Sequence, residues 1–550
     1  MRTNLLRDIR QAQDSGWNLQ EVSSHGPTRL LQFSASFASG GMIGMTIAFE
    51  TPFAIVALAL LTGLRTISSA GNLREATLLG FGFGFSACGV AAFWIPDAVQ
   101  ALGSSPLQSW LAWTLVCAWT AAPGWAVIGA ILFASRNLRR SVSSLIAGAS
   151  VFAIETLFSA DPIGIPGILL AYPLIRDPGL SQLAVVGGVP LVSALMAGSA
   201  YRIARAKGSN DGVRALIAVG AAWFTLSQLG IFVAERARAQ ATDPHGSVKR
   251  LLFIQPNLPR EYRWDEKMQP LVLEVVSTYT RQVLEKAKNI PDVVFWPENL
   301  LTDPIDRNRS LNDALMEAVR AIGVPVVTGI VLSGRSDQSQ TYRNAALWID
   351  PETGIRDRYE KSIAVPVLES TLDAPLPRLL SRVIGVGAQS QRVVEAKSAA
   401  PLRGDFEVGI LLCYESLFPQ AARDRRGSNT LALVNLADDS WIENARPTRQ
   451  LTTFSVYRAI EQRLPFIRVA HGGLSAAYDE YGREIRSAPL DEFASFTIEV
   501  TPTAPAGAVE RIAIVSALLV PGIAAWLAWP CAYFWLRKTR TSFRYPQADR

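Results

Sequence analysis

Apolar stretches long enough to cross a lipid bilayer dominate this chain. Seven occur before residue 234, at about 30–49, 51–68, 76–95, 108–134, 141–159, 180–200 and 212–233, and an eighth covers about 509–536. Each approaches or exceeds the roughly 20 residues a spanning helix needs. The first two are diluted by Ser, Gly and Thr, with Glu50-Thr51-Pro52 between them. Hydrophobic residues make up 49% of the 550 and charged residues only 18%. That balance is expected of a membrane protein carrying a soluble part.

The links between the stretches alternate in charge. Arg65 and Arg74, then Arg136, Arg139 and Arg140, then Arg202, Arg205, Lys207 and Arg214 follow the even-numbered stretches, as Arg537, Lys538, Arg540 and Arg544 follow the eighth. The other links are poor in cations, with Glu50, Asp97, and Asp161, Arg176 and Asp177. By the positive-inside rule both termini face the cytoplasm and the soluble block lies outside it. The expected organisation is a cytoplasmic lead-in 1–27, a seven-span bundle 28–235, a soluble domain 245–505, a final span 509–536 and a cytoplasmic tail 537–550. The lead-in has no signal-peptide profile. The net charge of +6 is therefore largely topological, and no nucleic-acid partner is expected. Glu155 in the fifth stretch is either a buried functional carboxylate or one near the outer interface. The Gly- and Pro-broken run Asp161–Gly167 is expected to dip into the outer leaflet.

The soluble block alternates strands and helices. Strands are expected at Leu251–Gln255, Val293–Trp296, Val324–Val331, Asn344–Ile349, Val408–Leu412, Leu431–Asn435, Phe466–Val469 and Leu474–Tyr478. Leu271, Val275, Tyr279 and Val283 mark the buried face of a helix, and Ser310 with Asp313 resembles a capping box before Leu311, Leu315, Val319 and Ile322. Another helix is expected over Thr448–Gln462, and 384–404 reads as a loop. This rhythm gives a two-layer or sandwiched α/β domain.

Its chemistry centres on Cys413. Of the four cysteines, Cys88, Cys117 and Cys531 fall in apolar stretches, which leaves Cys413 alone in the soluble block and without a disulfide partner there. The run Gly409–Leu412 reads as a buried strand delivering that thiol to a strand end. A thiol attacks only as thiolate and so needs a base. Glu298, after Trp296-Pro297 at another strand end, is partly desolvated and suits that task. Lys361 is placed to neutralise a developing oxyanion. His245, His471 and His25 show no metal-ligand spacing, so no metal is expected, and His471 reads as a turn or supporting residue before Gly472-Gly473. Tyr414, Trp264 and Trp441 read as pocket walls rather than chemistry.

The segments Trp296-Pro297-Glu298, Tyr359-Glu360-Lys361-Ser362-Ile363-Ala364-Val365-Pro366 and Cys413-Tyr414-Glu415 resemble the signatures of the nitrilase, or carbon–nitrogen hydrolase, superfamily. With seven spans before and one after, the layout resembles the apolipoprotein N-acyltransferase family of bacterial inner membranes over nearly the whole chain. Glu155, Gly164-Ile165-Pro166, Gln182 before Gly187-Gly188, Gln255-Pro256-Asn257 and Trp264-Asp265 look like further motifs of that family, and Asp438-Asp439-Ser440-Trp441 resembles its Asn-Asp-Ala-Trp segment. The resemblance implies a bundle of about eight spans plus an extracytoplasmic nitrilase-like α-β-β-α sandwich. It implies Glu298 as base, Lys361 as oxyanion partner and Cys413 as nucleophile, with Glu369 and Glu415 as supporting carboxylates and no cofactor. The implied substrates are a phospholipid acyl donor and the amine of a lipoprotein, met on the periplasmic side of the inner membrane.

The chain departs from the family at Val365-Pro366-Val367-Leu368-Glu369, where Val-Pro-Phe-Gly-Glu is usual, and at Ala470-His471-Gly472-Gly473, Leu451 and Gly167. These departures point to a divergent branch, such as the homologues encoded with conjugal-transfer genes. The alternatives to acyl transfer are a tethered amidase or nitrilase using water, and a conjugal-transfer membrane component that keeps the fold as a docking module.

Overall fold

In the helical region, apolar runs become helices whose small residues let their backbones touch. The structure, a computed structural model, describes residues 19–49, 52–160, 166–240, 248–334, 341–366, 400–442 and 445–501, with short pieces at 369, 379–380, 382–383 and 392–393. The helices are α1 (Leu19–Phe49), α2 (Phe53–Ser68), α3 (Leu73–Ala91), α4 (Ile95–Ala101), α5 (Pro106–Trp119), α6 (Ala121–Ser135), α7 (Arg140–Phe158), α8 (Ala184–Ala204) and α9 (Ser209–Gln240). A Cβ at Gly80 on α3 would sit 2.1 Å from the Trp125 carbonyl oxygen on α6. Only glycine allows so close a crossing, the usual device for packing helices in lipid. Leu30, Leu58, Leu145, Leu216 and Phe224 point outward and are more than half exposed. A bundle apolar on its outside is built for hydrocarbon, not water.

Among the described residues, five helical stretches are long and apolar enough to cross a membrane: Arg29–Phe49, Pro106–Ser135, Arg140–Phe158, Leu180–Ala204 and Ser209–Arg236. A sixth arises if α3 and α4, bent by 51° at their junction, count as one span. The apolar helix at Ala54–Ser68 falls short of that length. The expected run 108–134 is two helices that break at Thr120, and α8 breaks at Gly187 and Gly188, the latter at φ +70°. The expected lead-in up to residue 18, the segment Asp161–Ile165, the last span, the tail, and the Val367-Leu368 departure lie outside the described residues.

The soluble block forms two face-to-face sheets. The first runs β13 (Ala494–Val500), β1 (Lys249–Gln255), β2 (Val293–Phe295), β3 (Val326–Ser333), β4 (Thr341–Asp350), β5 (Gly354–Glu360), with β6 (Arg392–Val393) beside β4. The second runs β12 (Glu484–Ser487), β11 (Ala476–Tyr478), β10 (Phe466–His471), β9 (Thr430–Asp438), β8 (Glu407–Leu412), β7 (Leu402–Arg403). β1, β2 and β3 are parallel, as are β8, β9 and β10. Period-two alternation assigns the layers. Ile410 and Leu412 face the inter-sheet core with Phe253, Phe295 and Val327, whereas Leu411 faces the helices. Helices α10 (Gln269–Lys286) and α11 (Arg309–Ile322) cover the first sheet. Helix α12 (Pro419–Asp424) and helix α13 (Ala445–Gln462) cover the second. The α-β-β-α sandwich is therefore present.

Several local expectations are corrected. The buried face of α10 carries Val272, Leu273, Val276 and Thr280, while Leu271 and Val275 are exposed. Thr280 accepts a hydrogen bond from the buried Trp296 indole at 3.1 Å, which fixes the helix one position round from the expected face. The cap of α11 is Asn308, whose side chain accepts from the Leu311 N–H at 3.0 Å, not Ser310. Strands β12 and β13 and helix α12 were not foreseen, and the short strands β6 and β7 fall within the run 384–404 expected as a loop.

Helix α13 joins sandwich to bundle. Tyr172 stacks on Phe454 with ring centroids 3.9 Å apart, and the Tyr457 hydroxyl donates to the Ala171 carbonyl at 2.7 Å. Gln182 donates to the Tyr481 carbonyl at 3.0 Å and accepts from Arg463 at 2.6 Å. Glu155 is buried and accepts from the Leu170 N–H at 2.9 Å. It thus holds the segment that leads into this junction.

Close approach also sets the strand end that carries Glu298. A Cβ on Gly329 of β3 would lie 2.4 Å from the Glu298 Cα and 2.8 Å from the Pro297 oxygen. Gly329→Ala should therefore destabilise the protein by about 1–3 kcal/mol, as overpacking does, and displace Glu298. Thermal unfolding of the purified variant checks this, and an unchanged midpoint would contradict it.

Candidate active site

The three residues expected to carry the chemistry emerge from strand ends of both sheets. Glu298 follows β2, Lys361 follows β5 and Cys413 follows β8. The Lys361 N–H donates to the Asn344 carbonyl at 2.8 Å, extending the ladder to the lysine itself. Its ammonium donates to Glu298 at 3.1 Å and to Glu369 at 2.8 Å, with the Lys361 side chain fully buried. Asn344 Nδ2 also donates to Glu298 at 2.6 Å. Glu369 in turn accepts from the Val365 N–H at 2.7 Å, which fixes its distance from the lysine.

Burial pushes the Glu298 carboxyl up to about 7; the Lys361 charge opposes the shift and the Glu369 charge adds to it. Burial alone would lower Lys361, but Glu298 and Glu369 outweigh it and hold the ammonium well above its usual range. The Cys413 thiol is raised by burial and by the Glu298 charge, and pulled back by Lys361. Cys413 is therefore within electrostatic reach of both. A resting thiol, a carboxylate that exchanges its proton near neutrality and a fixed ammonium together can transfer a proton and stabilise an oxyanion.

Glu415 ties the lysine segment to the cysteine segment. It is fully buried. One oxygen accepts from the Ser362 N–H at 2.7 Å, the Ile363 N–H at 3.2 Å, the Tyr359 hydroxyl at 2.7 Å and Arg425 at 2.9 Å. The other accepts from the Leu412 N–H at 2.8 Å, one residue before the cysteine. Glu415 positions the reacting groups rather than meeting them.

A second buried chain holds Cys413 from behind. Cys413 has φ +48°, the left-handed region that costs a non-glycine residue free energy. Asn435 donates to the Leu411 carbonyl at 2.8 Å and the Cys413 carbonyl at 3.1 Å. Arg468 donates to Asn435 and grips both oxygens of Asp439 at 2.7 and 2.6 Å. The expected site did not include Asn435, Arg468 or Asn344. Their signal was polarity within otherwise apolar strands.

Cys413 opens into a cavity of about 240 Å³ shared by sandwich and bundle. Tyr414, Trp441, Leu451 and Phe454 line it from the sandwich, and Cys88, Trp94, Ile95 and Val116 from the helices. Gly167 and Leu451, two of the departures noted above, both lie on its wall. Tyr414 and Trp441 thus line this cavity, and Trp264 does not: it is exposed, with Arg260 over its ring at 5.7 Å. Its neighbour Arg263 turns inward instead, to grip Asp438 at 2.9 and 3.0 Å. Burial raises the Asp438 carboxyl, but that fork outweighs it and holds it below the ordinary range. His471 is buried beside this pair; burial and then Arg263 push it well below its usual value.

The chain matches known families in the same two parts. Residues 39–201 match the apolipoprotein N-acyltransferase N-terminal domain, and residues 269–501 match carbon–nitrogen hydrolase. Among solved structures, a carbon–nitrogen hydrolase from Helicobacter pylori G27 is similar at 14% identity, covering 46% of this chain and 89% of that one, with a TM-score of 0.36. The soluble part is a carbon–nitrogen hydrolase domain, carried by a bacterial membrane protein. The apolipoprotein N-acyltransferase of Brucella melitensis biotype 1 is 26% identical over 491 residues, 83% of this chain and 87% of that protein. The one from Allorhizobium ampelinum is 28% identical over 459 residues, 78% of this chain and 81% of that protein. The chain belongs to the apolipoprotein N-acyltransferase family.

Asn435→Ala should cost about 1–3 kcal/mol, because it removes a buried partner from Arg468 and from the Leu411 and Cys413 carbonyls. It should also slow alkylation of Cys413 by iodoacetamide. Unchanged stability with an unchanged alkylation rate would show that this chain does not hold the cysteine.

Proposed function

We propose that the protein moves a fatty acyl chain from a phospholipid, through a thioester on Cys413, to the N-terminal amine of a lipoprotein. The observation that carries this reading is the placement of Cys413. It sits where the Glu298–Lys361–Glu369 cluster meets an apolar cavity walled by membrane-type helices. A small amide needs no such cavity, whereas an acyl chain does.

Glu298 takes the thiol proton as the sulfur attacks the ester carbonyl. Lys361 stabilises the oxyanion, the carbonyl re-forms, and the lysophospholipid alkoxide leaves with the proton from Glu298. The acceptor amine then attacks the thioester, Glu298 removes the amine proton, and the thiolate departs and is reprotonated. Splitting the transfer replaces one difficult step with two easier ones. Glu369 and Glu415 hold the lysine and the cysteine turn. The cation-rich links at Arg136–Arg140 and Arg202–Arg214 support a catalytic domain on the periplasmic side of the inner membrane.

In vesicles containing a diacylglyceryl-cysteine peptide, Cys413→Ala should lower acyl transfer by on the order of 10³-fold or more, the scale expected for a lost nucleophile, while the thermal midpoint stays near that of the parent. Transfer that survives in the purified variant would reject the assignment. A competing amidase reading would be favoured by hydrolysis of small amides without transfer.

The pH dependence follows from Glu298. Its protonated form cannot accept the thiol proton, so first-turnover acylation should rise with pH and reach half its plateau near pH 7. Glu298→Gln should abolish that limb along with most of the rate. A profile flat from pH 5 to 9 in the parent enzyme would remove Glu298 from the base role.

A further inference from the structure

Between α7 and α8 the chain passes through residues 166–171, which form neither helix nor strand. The stretches on both sides, Arg140–Phe158 and Leu180–Ala204, are long and apolar enough to cross a membrane. Irregular backbone in such a setting lacks both a ladder partner and bulk water, so side chains must meet its polar groups. Here they come from several elements. The Leu170 N–H donates to Glu155 of α7 at 2.9 Å, and the Ala171 N–H donates to Ser193 Oγ of α8 at 3.1 Å. The Ala171 carbonyl accepts from the Tyr457 hydroxyl of α13 at 2.7 Å. The Pro166 carbonyl accepts from the Tyr172 hydroxyl at 2.5 Å, while the Tyr172 ring stacks on Phe454. α7 and α8 cross closely, since a Cβ on Gly148 would sit 2.8 Å from the Ala194 oxygen. Glu155 and Ser193 are therefore a fixed frame to which the segment is tied.

The far end of that segment reaches the cysteine. Gly167 and Ile168 lie on the wall of the Cys413 cavity, as does Phe454, whereas Glu155 does not line it. Glu155 is 6% exposed. A carboxylate buried in an apolar bundle is costly and marks a task. Replacing it with leucine would leave the Leu170 N–H without its acceptor. Replacing it with glutamine would keep one acceptor oxygen.

We propose that Glu155 is a positioning residue for the apolar chain that enters the Cys413 cavity. By accepting from Leu170 it fixes residues 166–171, and so sets the part of the wall formed by Gly167 and Ile168. The inference rests on the acyl-binding role given to this cavity under the proposed function. Glu155 meets no reacting atom, and it serves as an acceptor rather than as a proton carrier.

The test compares maleimides carrying an ethyl or a dodecyl chain. Both form the same thioether on Cys413, so the ratio of their rates reports how well the cavity holds an alkyl chain and needs no acyl transfer. The full-length protein is used in one detergent, and the adduct at Cys413 is followed by peptide mass mapping, because Cys88 also lines the cavity. Glu155→Leu should lower the dodecyl-to-ethyl ratio about tenfold and leave the ethyl rate within about twofold of the parent's. Glu155→Gln should keep the ratio within about threefold of the parent's, and Tyr172→Phe, which frees the Pro166 carbonyl, should lower it about threefold. An unchanged ratio in Glu155→Leu, an equal fall in both rates, or a ratio as low in Glu155→Gln as in Glu155→Leu would overturn the proposal. Should Glu155→Leu fail to fold, Tyr172→Phe decides, and an unchanged ratio there overturns it. Failure of the proposed function would show separately, as a parent chain that takes the dodecyl reagent on Cys413 but no acyl group from phospholipid.

Discussion

A lysine ammonium removed from water is tolerable only where carboxylates surround it. Lys361 meets that condition through Glu298 and Glu369, which reach it from different segments of the chain. Glu298 in turn depends on Gly329 leaving room for its backbone and on Asn344 for a second hydrogen bond. The cluster therefore exists only when β2, β3, β4 and β5 are in register and the segment after Lys361 has folded back. Glu415 extends the same dependence to the second sheet, because its two oxygens hold residues 362–363 on one side and Leu412 on the other. Packing the sheets face to face and assembling the reacting groups are one event.

The helical bundle belongs to the site rather than merely anchoring it. Along α13, Gln450, Leu451 and Phe454 face the cavity, while Tyr457 and Ile460 pack into the core shared with the bundle. Trp441 meets Trp94 of the bundle with ring centroids 6.2 Å apart, and Leu380 packs with Val99 and Ala112. Half of the wall around Cys413 thus comes from helices suited to lipid. In the proposed reaction an amphiphilic donor would keep its chain among them while its ester reaches Cys413. Such a division of labour explains why neither part would serve alone.

The strand ends were legible because continuous apolar runs stop abruptly at Glu298 and Cys413, and the carboxylate, the lysine and the thiol together at such stops point to chemistry. The cavity was not legible, since it depends on α3–α5 meeting residues 413–417, which lie far away in the sequence. Trp264 misled because an aromatic beside a motif looks like a wall, whereas here Arg263 takes the inward place. The buried face of α10 slipped by one position because residues four apart drift around a helix of 3.6 residues per turn, and Trp296 settled which face turned inward. Asn435 and Arg468 were visible as polar breaks in β9 and β10, but nothing local says that they converge on Cys413. The bundle's span count resisted a reading by composition, because α2 falls short of spanning length and α3 and α4 are bent by 51° at their junction.

The central claim is that Cys413 itself carries the acyl group. Purified protein incubated with a phospholipid and no acceptor, then digested and analysed by mass spectrometry, tests it directly. The account predicts a fatty acyl adduct on the peptide containing Cys413, discharged when a diacylglyceryl-cysteine peptide is added. Transfer that proceeds without any adduct on that peptide, or with the acyl group on another residue, would contradict it.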